Sequence, residues 1–252
     1  MPSLPEDLVI LAVGAKPRVG PYNGKLPMRF RYGMRGAVLV ALALAGRVQV
    51  ADGQIIVRDP APLGDPNLDE ALAGLADLRA VPVADWMADM PSSFLTASFD
   101  RLEAAGVLRS ETVWLLYIAK RKGYRLVDPA YFEKLRAALH NAVIGAGPAA
   151  PGMVALAGLV HAGDIANLLY PGRENASVRT RLAEIAGQDP AITAPGTRSG
   201  TSSPDNPFWN SAGAAVQGAV HHSVHAAVSA ATATSHHSGS SSGGESSHGH
   251  HH

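Results

Sequence analysis

The sequence predicts a mainly α-helical protein, in which a single helical bundle carries two β-hairpins at about 47–58 and 112–127. Apolar residues recur at helical spacing through most of the first 188 residues. In the two hairpin segments, apolar and polar residues alternate instead, on either side of residues that favour turns. The longest uninterrupted apolar run, 37–45, is much shorter than the roughly 20 residues of a membrane-spanning helix, which indicates a buried core helix.

The first part of the chain contains signals for two helices. Ser3 and Glu6 form a capping-box pattern ahead of an apolar stretch, which predicts a helix at the N-terminus. The segment 15–32 has irregularly spaced glycine, proline and asparagine, and we expect a loop there. A strong helix is predicted over 33–45, and Gly46 is expected to end it.

Turn residues define the two hairpins. Asp52 and Gly53 supply a two-residue turn for the first hairpin. In the second hairpin, strands over 112–118 and 124–127 are expected to flank a Lys-Arg-Lys-Gly turn at 120–123. Further helices are predicted from Asp65, and over 83–90, 93–105, 129–144, 151–169 and 174–186.

The composition changes near residue 189, which divides the chain into four parts. Residues 1–188 are expected to form the helical domain, and 189–208, rich in Pro, Gly, Ser and Thr, a linker. Residues 209–233 predict an alanine-rich helix whose narrow valine stripe would pack on the domain, because it is too small to fold alone. The Ser/Gly/His-rich tail, 234–252, is expected to be disordered.

Charge is segregated near the N-terminus, because no acidic residue occurs between Asp7 and Asp52. The basic residues of this segment are Lys16, Arg18, Lys25, Arg29, Arg31, Arg35 and Arg47. Each cation near an anionic membrane surface contributes about 1 kcal/mol, and a guanidinium can bind phosphate through two hydrogen bonds. The pattern favours recognition of anionic lipid headgroups. The alternative is a solvated loop whose charges pair with acids elsewhere, such as Asp65.

The second hairpin has a similar composition, with no acidic residue between Glu111 and Asp128. Its basic residues are expected to cluster at the tip, beside apolar side chains. The candidate membrane-contacting residues are Trp114, Leu116, Tyr117, Lys120, Arg121 and Lys122. The apolar face could enter the membrane interface or pack on a partner subunit, and an alternating strand can equally cover the core of its own domain.

Signals for catalysis, cofactors or metals are weak. The chain has no cysteine, which excludes disulfides, thiolate zinc sites and cysteine nucleophiles. It also lacks the glycine motifs that bind nucleotide phosphates. We interpret His161 and Asp164 as a polar packing pair, and His221 and His225 as capable only of adventitious metal binding. No enzymatic activity, cofactor or physiological metal site is predicted.

Four segments resemble the Golgi phosphoprotein 3 family in order and spacing. The most specific is GMRGAVLVALALAGRV at 33–48, followed by DPAPLGDPNLDEAL at 59–72, RLEAAGVL at 101–108 and LVHAGDIANL at 159–168. The resemblance covers about residues 4–230. It implies a compact helical domain that binds phosphatidylinositol 4-phosphate in a basic pocket and inserts an apolar hairpin into the membrane. Eukaryotic members act as adaptors in Golgi vesicle traffic and glycosyltransferase retention.

The resemblance also implies roles for particular residues. The candidate headgroup-binding residues are Arg35, Arg31, Arg29 and Tyr22. Arg31 and Arg29 are included because they lie within one short loop of Arg35, and either Tyr22 or Leu26 is nearest to the family's pocket tryptophan. Arg35 matches the family's headgroup arginine, and a helix that starts near Gly33 would place backbone amides beside the same phosphate. Ser92 and Leu95 stand where the family has two further pocket arginines.

Two other functions remain open. A helix followed by a strand, a basic turn and a second strand is also typical of a winged-helix nucleic-acid binder. The helix over 93–105 carries Asp100 and Glu103, which would repel phosphate, so we predict no nucleic-acid partner. The third interpretation is a homo-oligomer held by the second hairpin. We expect a cytoplasmic protein, peripherally associated with anionic phospholipid membranes.

Overall fold

The computed structural model describes residues 2–21, 25–27, 29–51, 54–78, 80–89, 91, 93–115, 119–145 and 149–187. Within them, helices predominate and the strands form two small antiparallel sheets, which confirms the predicted fold class. The helices are α1 (Leu4–Ala15), α2 (Phe30–Leu44), α3 (Pro66–Ala76), α4 (Val83–Asp89), α5 (Ser93–Ala104), α6 (Ala130–Ile144), α7 (Pro151–Ala162), α8 (Ala166–Leu169) and α9 (Ala176–Gly187). The strands are β1 (Val48–Ala51), β2 (Gln54–Val57), β3 (Val81–Pro82), β4 (Leu108–Leu115) and β5 (Ala119–Leu126).

Helix α1 lies at the centre of the described structure. It packs against α2, α5, α6, α7, α8 and β5. Residues 8–12 of this helix have no exposed surface, as expected for a helix that is apolar on all sides. The predicted capping box is confirmed, because the Ser3 amide donates to Glu6 Oε2 at 2.7 Å. The molecule is therefore built around its own N-terminal helix.

A buried carboxylate of α1 joins three helices through one arginine. Glu6 is 5% exposed, and its Oε1 lies 3.0 Å from a guanidinium nitrogen of Arg101 on α5. Arg101 also binds Asp65, whose carboxylate caps the first amides of α3 as the sequence predicted. Removal of one partner from such a pair leaves an uncompensated charge, which usually destabilises a protein strongly.

Helix α2 begins earlier than the sequence predicted. The loop expected over 15–32 ends at residue 29, and Phe30, fully buried, is the first residue of the helix. Burial of this ring stabilises an additional first turn of α2, which the irregular spacing of glycine and proline does not indicate. The apolar run within α2 is buried as expected. Over the described ranges, no helix is both long enough and apolar enough to cross a bilayer.

Helices α2 and α5 end in the same way, and each leads into a hairpin. Gly46 and Gly106 have φ angles of 71° and 73°, the left-handed conformation that glycine adopts without a steric penalty. The amide after each glycine donates to the carbonyl five residues earlier, at 2.9 Å in both cases. These hydrogen bonds form Schellman motifs, which fix where each hairpin leaves its helix and confirm the predicted end at Gly46.

The first hairpin is confirmed, and a third strand extends it. Ala51 pairs with Gln54, which leaves two residues for the turn. Asp52 and Gly53 themselves lie outside the described residues. Strand β3 adds to β2 through the pair of Val81 with Ile55. No pattern in the sequence predicted β3, because a two-residue strand has no detectable alternation of apolar and polar residues.

The predicted turn of the second hairpin is wrong. Its strands run over 108–115 and 119–126, so the basic 120–123 segment lies within β5 rather than at the tip. Gly123 has a different role there. A Cβ on this residue would lie 2.5 Å from Val113 Cγ2 and 2.8 Å from the Arg18 carbonyl oxygen. Glycine at this position therefore allows the loop that follows α1 to pass close to β5.

The predicted helix over 151–169 is two helices. Helix α7 ends at Ala162, and Asp164 adopts a left-handed φ of 58° before α8 begins. Gly163 follows α7 but has an ordinary negative φ, and the left-handed conformation that usually belongs to glycine at a helix end is adopted by Asp164, which tolerates it better than most residues. The linker, C-terminal helix and tail predicted over 189–208, 209–233 and 234–252 lie outside the described residues.

The second carboxylate of α1, Asp7, is expected to lower stability at neutral pH. Burial raises the pKa of Asp7 from 3.8 to about 6, although a hydrogen bond from Tyr131 Oη, at 2.9 Å, opposes the shift. Between these pH values the folded state binds one proton more than the unfolded state, so stability falls as pH rises through 6. Above pH 6, Asp7→Asn should therefore raise the free energy of unfolding, by up to about 3 kcal/mol.

Urea denaturation of both proteins from pH 4 to pH 8 measures this effect. The difference between Asp7→Asn and wild type should be largest above pH 6 and should close near pH 4. Asp77→Asn, on the exposed end of α3, is the matched control. A constant difference at every pH would show that Asp7 does not titrate as its burial implies.

Candidate functional site

Arg31 and Arg35 are the two predicted headgroup residues that the structure brings together. They lie one turn apart on the same face of α2, beside a cleft that separates α2 from the start of α5. The cleft is lined by Arg31, Met34, Arg35 and Val38 of α2, by Pro91, and by Phe94 and Leu95 of α5. Two guanidinium groups therefore stand beside an otherwise apolar surface.

The two arginines differ in how firmly they are held. Arg35 is half-buried, donates to the backbone carbonyl of Met87 and lies over the Tyr32 ring, 5.8 Å from its centre. Arg31 is exposed and forms no ion pair with any carboxylate in the described part of the chain. Arg35 is thus oriented by the fold, and Arg31 presents its charge to solvent.

The cleft is shallow. It offers about 10 Å³ to a water-sized sphere, which is room for about one water molecule. An inositol phosphate does not fit inside it. A phosphate group would instead contact the arginines at the mouth, where two guanidinium groups can donate several hydrogen bonds to its oxygens.

Arg29 lies apart from this pair. It precedes the first turn of α2 and is two residues before Arg31, which places it about 200° around the helix axis. Its charge acts on the other side of α2, at His161 of α7. Burial lowers the pKa of His161, Asp164 opposes this shift, and Arg29 adds to it. Arg29 is therefore close to α7 rather than to the cleft.

The backbone amides expected to assist Arg35 are already bonded. We predicted that a helix starting near Gly33 would offer free amides to a phosphate. Because α2 begins at Phe30, the Gly33 amide instead donates to the Arg29 carbonyl at 3.0 Å. The predicted contribution of these helix amides is therefore wrong.

Two other cations of the acid-free segment have carboxylate partners. Arg18 Nε lies 3.3 Å from Glu111 Oε2, and Arg47 binds Asp59. Asp65, which we named as an acid that could pair with a cation of this segment, binds Arg101 of α5 instead. Part of the segment's charge is thus used within the fold, while Arg31 remains available at the cleft.

The second hairpin carries an exposed apolar side chain next to a cation. Trp114 is 56% exposed, and Lys120 Nζ lies 5.0 Å from the centre of its ring, directly across the strand pair. An indole with an ammonium group beside it suits the membrane interface, because the ring is apolar and its edges are polar. The end of the hairpin therefore offers a small amphipathic surface.

The family model for Golgi phosphoprotein 3 (GPP34) matches residues 4–233 of the chain. The chain belongs to the Golgi phosphoprotein 3 family. No curated protein matches it.

Leu95 lies at the same cleft as Arg31 and Arg35. We placed Leu95 where the family has a pocket arginine, and its side chain does line the same cleft as Arg35. An arginine at this position would add a positive charge to the cleft, and leucine adds none. Ser92, the second such position, lies outside the described residues, and so does Tyr22, which we named with Leu26 as a candidate for the family's pocket tryptophan.

Lys122 is not part of a basic tip in this family member. Its Nζ lies 2.6 Å from Glu103 Oε2 and 3.6 Å from Asp100 Oδ1, both on α5. The hydrogen bond to Glu103 raises the pKa of Lys122, and the same bond lowers the pKa of Glu103. Lys122 therefore anchors the hairpin to α5. Leu116 and Tyr117 lie outside the described residues.

Sequence reasoning missed the features that complete the cleft. Pro91 and Phe94 form part of its wall, and the Met87 carbonyl orients Arg35. These contacts depend on how α4 and α5 pack on α2, for which the sequence carries no local signal. The described residues contain no group of three or more His, Cys, Asp or Glu side chains arranged to hold a metal.

Lys122→Met should lower the free energy of unfolding, because it removes the ion pairs that join the hairpin to α5. The side chain is half exposed, so we expect a loss of only about 0.5–1 kcal/mol. Arg121→Met is the matched control, since this exposed neighbour donates only to the Lys120 carbonyl within the described structure. Urea denaturation measures both. Equal losses in the two variants would contradict the proposed role of the Lys122 ion pairs in joining the hairpin to α5.

Proposed function

We propose that this member of the Golgi phosphoprotein 3 family is a peripheral membrane protein that binds phosphatidylinositol 4-phosphate or another anionic phospholipid headgroup. The observation that carries the proposal is the pair formed by Arg31 and Arg35 at the mouth of the cleft. The fold orients Arg35, and the Arg31 charge is not cancelled by any described carboxylate. Family membership supports the same function.

Phosphate recognition at this site depends on geometry as well as charge. Arg35 is held by the Met87 carbonyl, so little side-chain entropy is lost when it meets a phosphate. Arg31 adds a second fork of donors one turn away. Because the cleft admits only about one water molecule, the headgroup would lie across its mouth and remain partly solvated. Binding should therefore depend strongly on salt.

The second hairpin supplies the other contact with the membrane in this proposal. Trp114 is exposed, and entry of its ring into the interface would bury apolar surface that now faces water. Lys120 stands over the same ring and would meet the anionic headgroups. One strongly positioned headgroup contact and one shallow apolar contact are together typical of reversible membrane binding.

The proposal includes no covalent chemistry and no nucleic-acid partner. In a winged-helix protein α5 would be the recognition helix, but it carries exposed Asp100. Its one arginine, Arg101, is occupied by Glu6 and Asp65. These charges disfavour a nucleic-acid phosphate backbone. Self-association through the hairpin is the second candidate, because the outer edge of β4 has no partner strand among the described residues.

Arg31→Gln should weaken binding to anionic vesicles without loss of stability. Removal of one cation at an anionic surface costs about 1 kcal/mol, so we expect about fivefold weaker partitioning. Flotation with vesicles that contain phosphatidylinositol 4-phosphate, at 0.1 M and 1 M salt, measures this change. Lys134→Gln removes the same charge from the exposed face of α6 and should leave binding unchanged. Equal losses of vesicle binding in both variants would show that binding depends on the net charge of the protein and not on this site.

Trp114→Ala tests the hairpin contact. If membrane binding buries even about 60 Å² of the indole, the loss is about 1.5 kcal/mol, or about tenfold in partitioning. The exposed position predicts an unchanged melting temperature. Light scattering on the same samples gives the molar mass. Unchanged flotation together with a lower mass than wild type would assign the hairpin to self-association instead of membrane contact.

A further inference from the structure

A second depression, here called the apolar groove, lies beside the arginine cleft. Its lining includes Glu70 and Gly74 of α3, Leu78, Trp86 of α4, Pro91 and Phe94 of α5. It offers about 400 Å³ to a water-sized sphere, within the range of small-molecule sites. Leu78 is 50% exposed, so part of this apolar surface now faces water.

The groove and the arginine cleft are adjacent. Pro91 and Phe94 line both of them, so the two depressions meet at one shared wall. On one side of that wall are the guanidinium groups of Arg31 and Arg35, and on the other an apolar surface. A cationic site in contact with an apolar site matches a single molecule that has a phosphate at one end and a hydrocarbon chain at the other.

We propose that the apolar groove receives an acyl chain of the phospholipid whose headgroup the arginine cleft binds. This inference rests on the headgroup binding proposed above and adds to it. The bound lipid would be partly withdrawn from the bilayer, with its phosphate at Arg31 and Arg35 and one chain against Trp86 and Phe94.

The chemistry of the groove favours an acyl chain over a peptide. Its lining side chains are apolar except for Glu70. A peptide would bring backbone donors and acceptors into this surface, and each would need a hydrogen-bond partner. A hydrocarbon chain needs none. Each methylene group that leaves water raises affinity by about fourfold, so a few buried methylenes would have a large effect.

Gly74 provides a way to fill the groove without disturbing the core. A Cβ on this residue would meet no atom within 4 Å, because the residue faces open space between neighbouring groove positions of α3. Leucine is also a better helix former than glycine, so Gly74→Leu should fold at least as well as wild type. Gly152→Leu is the matched control, since Gly152 of α7 is equally open and does not line the groove.

The test compares two soluble ligands by isothermal titration calorimetry on the full chain. One is dioctanoyl phosphatidylinositol 4-phosphate below its micelle concentration, and the other is the same headgroup on a deacylated glycerol. Wild type should bind the lipid at least tenfold more tightly than the deacylated headgroup. Gly74→Leu should remove this difference and keep headgroup binding, whereas Gly152→Leu should behave like wild type.

The outcomes separate the two levels of the proposal. Equal affinity of wild type for both ligands would overturn the acyl-chain site and leave headgroup binding intact. Lipid binding that Gly74→Leu does not change would also overturn it, and would leave the groove to another occupant, such as a peptide. If neither ligand binds wild type, the proposed headgroup function fails, and the acyl-chain site fails with it.

Discussion

The close contact between α2 and α7 is the constraint on which the candidate site depends. A Cβ on Gly33 of α2 would lie 2.9 Å from the Cα of Gly163, the residue that follows α7, so the two backbones meet where no larger residue fits. Interiors packed to this density allow one rotation of a helix and exclude others. With α2 fixed in this way, Arg31 and Arg35 face α5, and Arg29 lies on the side of α7. The glycine contact between α2 and the end of α7 thus determines where the charges of Arg31 and Arg35 lie.

Basic residues in this protein have two different roles. Arg101 and Lys122 bind carboxylates and join elements of the fold, one at α1 and α3 and the other at the second hairpin. Arg31 and Lys120 stand at the surface beside apolar groups. Arg31 and Lys120 can attract an anionic membrane at low energetic cost. Arg101 and Lys122 would first have to break an existing ion pair.

Local signals in the sequence predicted most of the elements, and tertiary contacts account for the errors. The Schellman glycine after α2 and the Asp65 cap of α3 act within a few residues, so they can be recognised without a structure. Gly123 resembles a turn residue, because glycine is common in turns. The structure shows that glycine is needed here because another segment of the chain passes close to β5, and this contact is not local in sequence. The same holds for the site. Arg35 was identified by resemblance, but its partner, the Met87 carbonyl, comes from a helix far along the chain.

The central claim is that Arg31 and Arg35 form the phosphate contact, and arginine side-chain NMR tests it most directly. The Nε–H signals can be followed while the deacylated headgroup of phosphatidylinositol 4-phosphate is added. The account predicts saturable shifts for Arg31 and Arg35 and little change for Arg29, which lies about 200° from Arg31 around the helix. Shifts confined to Arg29, or spread evenly over all exposed arginines, would contradict it.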